Sequence, residues 1–178
     1  KGKKGTVLMG LGTNIRSDQI GEKNINKIVE AFRQIPEYNF IWKFETSDMI
    51  KDIPANLMIR DWLPQNDILA HPQVKGFITH GGLLSTHESI WYGVPMVVIP
   101  LYSDQHRNSY RIVSTGIGLM IKLQSFSTEN LKTAVEIMNA EIAPISDARG
   151  TKEYKKLLLR QLFLAHFQVV DQKLSSVI

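Results

Sequence analysis

Six apolar runs alternate with helical stripes along this chain, and that alternation restricts the fold more than any other feature. The runs are "TVLMGLG" (Thr6–Gly12), "NFIWKF" (Asn39–Phe44), the segment "NLMIRDWLP", "KGFITH" (Lys75–His80), "PMVVIP" (Pro95–Pro100) and "GIGLMIK". After the first run, Ile25, Ile28, Val29, Phe32 and Ile35 recur at i, i+3, i+4, i+7 and i+10, the stripe of an amphipathic helix. "NDILAH" gives a short helical turn after Pro64, "LLSTHESIWYG" a helix, and "SDQHRNSYRIVSTG" another that stops at Gly116. Leu131, Ala134, Val135 and Met138 mark one more, with Ser127 placed to cap it, and a closing helix begins near Lys152. The strands read as continuous apolar runs rather than alternating ones, which fits a parallel sheet covered on both faces. The predicted fold class is therefore α/β, a Rossmann-like doubly wound parallel sheet. Such sheets bind ligands beyond the carboxyl ends of their strands.

The 178 residues suffice for one domain with a sizeable core. At 43% hydrophobic and 21% charged, the composition is that of a soluble globular chain. The formal net charge is +4, and three positive charges sit in the opening "KGKK". That is not the clustered basic face a nucleic-acid partner requires, so none is expected. The absence of cysteine excludes disulfides and thiolate chemistry. Apolar runs are too short, or too interrupted by charge, to span a membrane. With neither a leader sequence nor an initiator methionine, the chain is expected to be a piece of a larger protein. The polar stretch Ala143–Gly150 reads as a linker, separating residues 1–150 from a closing helix in 151–178.

The strand ends carry the candidate chemistry. "GLGTN" has Gly10 and Gly12 but Ile15 at the third glycine position, and no G-x-x-x-x-G-K-[ST] occurs. Neither a dinucleotide fingerprint nor a P-loop is present, which disfavours an NAD-dependent oxidoreductase. "GFITHGGLLSTHES" runs a strand into His80-Gly81-Gly82 and then opens a helix. Free N–H groups and the helix dipole favour an anion there, and glycines let a phosphate come close. His80 can donate to the same anion; the competing reading is a buried histidine that closes the strand. Ser85-x-x-Glu88 matches a capping box, although the carboxylate could instead accept from ribose hydroxyls. Trp62, beside Pro64, is either a core residue or a platform on which a flat base stacks. Asp104 can cap the helix that begins there, and with Gln105 it can also clamp sugar hydroxyls. The five histidines form no ligand set, so no metal is expected, and no G-x-S-x-G elbow is present.

Taken together, "WLPQNDILAHPQVKGFITHGGLLSTHESIWYGVPMVVIPLYSDQ" (Trp62–Gln105) resembles the signature segment of the UDP-glycosyltransferases. Trp-x-Pro-Gln, His-Pro, Thr-His-Gly-Gly, Ser-x-x-Glu, Gly-Val-Pro and Asp-Gln appear in family order and spacing. The resemblance covers roughly residues 5–140, and "HGGLLST" is most like the insect members. It implies the two-domain GT-B architecture, of which this chain is the carboxyl-terminal donor half, with the acceptor domain and membrane anchor absent from it. Position by position, it implies that Trp62 stacks on uracil, Gln65 bonds the nucleoside and Glu88 takes the ribose hydroxyls. His80, Gly82 and Ser85 would hold the diphosphate together with Thr13, and Asp104 and Gln105 would bind sugar hydroxyls. No catalytic residue is implied in this chain, since the histidine base and its aspartate belong to the acceptor domain. The implied donor is UDP-glucose or UDP-glucuronate, with no metal or other cofactor. The implied acceptors are small lipophilic molecules such as xenobiotics, met in the lumen of the endoplasmic reticulum.

Some positions depart from the family pattern. Met9-Gly10 stands where many members carry Phe-Ser, Leu84 where some carry a polar residue, and Arg107 and Tyr110 have no assigned role. The final segment lacks the usual Trp-containing helix. Its apolar face (Leu158, Leu159, Leu162, Phe163, Phe167, Val170) is expected to pack on this domain, with cover of the acceptor domain or a homo-oligomer contact as alternatives. Two other functions keep the same architecture. One is a non-catalytic nucleotide-sugar binding module. The other is a UDP-sugar epimerase, which needs its own acid–base pair beside the sugar.

Overall fold

The structure is a computed structural model that describes residues 4–13 and 16–139. In chain order the elements are β1 (Gly5–Gly10), α1 (Glu22–Gln34), β2 (Tyr38–Lys43), β3 (Leu57–Arg60), α2 (Gln65–Ala70) and β4 (Val74–Thr79). They continue with α3 (Leu83–Tyr92), β5 (Met96–Val98), α4 (Gln105–Ser114), β6 (Gly118–Met120) and α5 (Thr128–Ile137). One six-stranded sheet has the order β3-β2-β1-β4-β5-β6, with every pairing parallel. The winding reverses between β1 and β4, and a crevice beyond the strand ends is expected at such a switch point.

Strand residues alternate between faces, so a strand buried on both must be apolar throughout. Val7 and Met9 of β1 join the core beneath α1 and α5, which includes Phe32, Phe40, Trp42, Ile78 and Leu131. Leu8, between them, joins the opposite core with Leu69, Phe77, Met96, Val98 and Ile112. Beneath α1, Phe32 stacks on Phe40 at 3.8 Å between ring centres, and Trp42 meets Phe32 edge-on at 6.1 Å. The helical stripe read from the sequence is the buried face of α1: Ile25, Ile28, Val29 and Phe32 are all in the core.

Coverage on both faces holds for β1, β4 and β5, but not for the β2–β3 side. There β2 alternates buried and half-buried residues, and Met58 of β3 is 48% exposed. The cause is α2. Six residues span only about 9 Å, and this helix packs on β1, β4 and α3. A groove of about 690 Å³, lined by Thr6, Asn39, Ile41 and Met58 among others, is left along the sheet. Ser127 caps α5 as expected, its Oγ accepting from the Asn130 N–H at 3.1 Å. Three short 3₁₀ turns (Ser17–Ile20, Ser47–Met49, Leu123–Ser125) carry no periodicity that a sequence pattern could reveal. Ile15, the linker, the closing helix and its apolar face lie outside the described residues. Among the described residues no helix is long and apolar enough to cross a membrane.

Candidate functional site

His80 follows the last residue of β4, and its ring lies in a slot between two glycines. A Cβ on Gly12 would stand 2.8 Å from Cε1 and 2.9 Å from Nε2 of the imidazole. A Cβ on Gly82 would overlap Nε2 and stand 2.8 Å from Cε1. Gly12 also adopts φ +86°, which side chains strongly disfavour. These glycines therefore make room for the histidine. Nδ1 of His80 lies 3.4 Å from Thr79 Oγ1. Burial pushes the imidazole pKa below its ordinary value, partly opposed by the negative charge of Asp104.

That shift has a definite sign. The folded chain takes up the His80 proton at lower pH than the unfolded chain, whose histidine titrates at about 6.5. Below that value the unfolded state binds more protons, so this group's contribution to stability falls as pH falls through the window. The melting temperature is expected to drop between neutral pH and pH 5, and His80→Gln is expected to make that drop shallower. Identical slopes for the two proteins would contradict it.

Gln65 begins α2 against β1, where its Oε1 would stand 3.2 Å from a Cβ on Gly10. Its Nε2 donates to Glu88 Oε2 at 2.7 Å and to Ser85 Oγ at 3.1 Å. The N-cap of α3 is Gly82, so Ser85 lies inside the first turn and the capping box does not form. Glu88 instead faces α2, with one carboxylate oxygen held by Gln65. Trp62, in the loop before α2, is 68% exposed, so the core reading of this residue does not hold. Thr13 is likewise exposed, next to Gly12.

Asp104 occupies the N-cap position of α4 without capping it: its backbone is helical, and its side chain makes no cap hydrogen bond. Its Oδ2 accepts from Asn108 Nδ2 at 2.9 Å. Gln105 is buried, and its Oε1 accepts from the backbone N–H of Leu101 (2.9 Å) and of Tyr102 (3.1 Å). Its carbonyl thus closes the β5–α4 loop, which leaves the amide N–H groups as what it can offer to a hydroxyl. Ser103, immediately before, has φ +58° and is the one described non-glycine residue with a positive φ. Strain of this kind concentrates at functional loops.

The fold thus brings Gln65, Ser85 and Glu88 into one cluster and seats His80 against Gly82. Trp62 and Thr13 stand exposed on loops at the same end of the sheet. Sequence reasoning missed two contributors. Asn108 is buried and donates to Gly81 O at 3.0 Å as well as to Asp104; its spacing of four residues from Asp104 on a helix was the available signal. Lys43, at the end of β2, donates to Gly12 O at 3.1 Å and pairs with Glu45 at 2.6 Å. No local pattern announces it, because only the sheet order brings β2 beside that loop. Together these groups offer an exposed aromatic face, a carboxylate acceptor, a helix start with an imidazole, and a second carboxylate.

Known proteins carry the same segment. The profile of the family described as "UDP-glucoronosyl and UDP-glucosyl transferase" matches residues 1–143. The ecdysteroid UDP-glucosyltransferase of Spodoptera littoralis nuclear polyhedrosis virus is 44% identical over 115 residues, covering 64% of this chain and 22% of that protein. UDP-glucosyltransferase 2 of Dactylopius coccus is 35% identical over 131 residues, covering 74% of this chain and 25% of that protein. The chain therefore spans about a quarter of the length of such relatives. Among solved structures, the glycotransferase of kitacinnamycin superposes with a TM-score of 0.76 at 26% identity, covering 93% of this chain and 40% of that one. Os79 from O. sativa, solved with UDP, shares the fold with a TM-score of 0.68 at 18% identity, covering 90% of this chain and 41% of that one. With the family profile matching residues 1–143 and the fold in agreement, the chain belongs to the UDP-glycosyltransferase family.

Proposed function

We propose that this chain is the donor-binding half of an inverting UDP-glycosyltransferase that moves glucose from UDP-glucose to small lipophilic acceptors, the chemistry of detoxification. The observation that carries the reading is the grouping at one end of the sheet of Glu88 and Asp104, each accepting from a side-chain amide, with His80 seated between Gly12 and Gly82. In this reading Trp62 stacks on the base, with Gln65 beside it on the nucleoside. Glu88 accepts from the ribose. His80, Gly82, Ser85 and Thr13 hold the diphosphate, and Asp104 and Gln105 hold the sugar. The partner hydroxyl is deprotonated by a histidine of the acceptor half, as the family resemblance implies. This chain fixes the donor in line and stabilises the departing diphosphate through the α3 start and the imidazole, without a metal.

Two considerations support glucose. The names of the viral and Dactylopius relatives specify a glucosyl group. In addition, the carboxylate of Asp104 favours hydroxyls over the further carboxylate that a glucuronate brings. The cellular setting we propose, the lumen of the endoplasmic reticulum, rests on the family resemblance. The test is competition of UDP-glucose and UDP-glucuronate against UDP on the 178-residue chain. Tighter binding of UDP-glucose is expected, and equal or reversed affinities would contradict the choice of sugar. Incubated with UDP-glucose and a phenolic acceptor, this chain alone is expected to form no glucoside; a glucoside would contradict placing the base elsewhere.

A further inference from the structure

Asn108 lies on α4, belongs to no family signature quoted above, and is 5% exposed. Its Nδ2 donates both of its hydrogens, to Gly81 O at 3.0 Å and to Asp104 Oδ2 at 2.9 Å. Both partners can only accept, so the amide has one workable orientation. The two acceptors belong to different parts of the site: Gly81 precedes the α3 start, and Asp104 precedes α4.

The consequence follows from peptide geometry. The carbonyl of Gly81 and the N–H of Gly82 belong to one planar trans unit and point in opposite directions. A carbonyl held by Asn108 therefore turns the Gly82 N–H away from that amide, and Gly82 is the N-cap of α3, where an anion is favoured. Gly81 sits at φ +82°, and a Cβ there would come within 2.6 Å of Val98 Cγ1 and 3.0 Å of Ser109 Oγ. The turn cannot shift toward those neighbours, so the orientation of this peptide depends on what holds its carbonyl. The same Asn108 amide steadies the carboxylate of Asp104, whose side chain makes no cap hydrogen bond of its own.

We infer that Asn108 is a positioning residue that sets two donor contacts at once: the Gly82 N–H for the diphosphate and the Asp104 carboxylate for the sugar. This rests on the donor-site reading above. Uridine, whose proposed binding groups (Trp62, Gln65, Glu88) share no hydrogen bond with Asn108, should not sense its loss. UDP should sense the phosphate half, and UDP-glucose should sense both.

The test titrates the 178-residue chain and Asn108→Ala with uridine, UDP and UDP-glucose, and repeats the comparison in an Asp104→Ala background. Uridine affinity is expected to stay within about twofold, UDP to weaken about fivefold, and UDP-glucose to weaken about tenfold beyond that, as lost hydrogen bonds to charged groups would. The extra loss for UDP-glucose is expected to vanish when Asp104 is already alanine. If Asn108→Ala loses its folded circular-dichroism signal, Asn108→Ser, which keeps one donor, is judged by the same pattern. Equal loss for all three ligands, or no loss for any, overturns the role of Asn108 and leaves the donor site standing. Failure of the unmodified chain to bind UDP overturns both.

Discussion

Gly82→Ala is expected to weaken UDP binding by about 1.5–3 kcal/mol, the worth of a lost hydrogen bond to a charged group. The backbone is not the obstacle, since Gly82 has φ −62° and ψ 146°, a conformation any residue adopts. The obstacle is the new methyl group, which would overlap Nε2 of His80. The ring has little room to retreat, because it already packs close to Gly12, where an added Cβ would come within 2.8–2.9 Å of it. The imidazole must turn out of the slot, and with it goes the donor proposed for the diphosphate. Gly21→Ala is the control: unlike Gly82 it has a positive φ (+86°), so the change strains the backbone, but a Cβ there meets nothing within 4 Å, and UDP affinity should not change. Calorimetric titration of the two variants checks this. Unchanged UDP affinity in Gly82→Ala would show that the His80 slot plays no part in binding.

Trp62→Ala should separate binding from stability. A tryptophan that is 68% exposed contributes little to folding, so the melting temperature should stay nearly that of the parent. UDP affinity should nevertheless fall by about 1–3 kcal/mol, the worth of a base stacked on an aromatic ring. Fluorescence provides a second readout. Of the three tryptophans, Trp42 is fully buried in the core and Trp91 is part-exposed on α3, whereas Trp62 is the most exposed. Quenching by UDP in the parent should therefore shrink in Trp62→Ala. Quenching of equal size in both proteins would remove Trp62 from the site.

Much of this was readable from the sequence, for physical reasons that vary by residue. Continuous apolar runs have few alternatives to a buried parallel sheet, so the six strands and their order of appearance were legible. The uncovered side of β2 and β3 was not, because it depends on α2 being short and packing elsewhere, a tertiary fact. His80-Gly81-Gly82 was legible as a strand end that opens a helix, but no local pattern signals that Gly12, from a different strand end, encloses the same ring. The competing reading of Ser85 and Glu88 as a capping box failed because α3 begins at Leu83, three residues before a box ending at Glu88 would need to start its first turn. A local pattern cannot reveal that shift, since Gly82 supplies a helix start with no side-chain signal. Asp104 and Gln105 were legible as polar residues at a helix start. That Gln105 would turn its carbonyl to the loop, and Asp104 toward Asn108, follows only from the packing of α4 beneath the strand ends.

The most direct test of the donor-site account is amide and indole chemical-shift mapping of the isotope-labelled chain as UDP is added. The account predicts that the perturbed signals include the Trp62 indole and the backbone of Gly12, Thr13, Gly81, Gly82 and Glu88. The groove along β2 and β3 should remain unchanged. Perturbations confined to that groove, or none in a folded sample at saturating UDP, would contradict it.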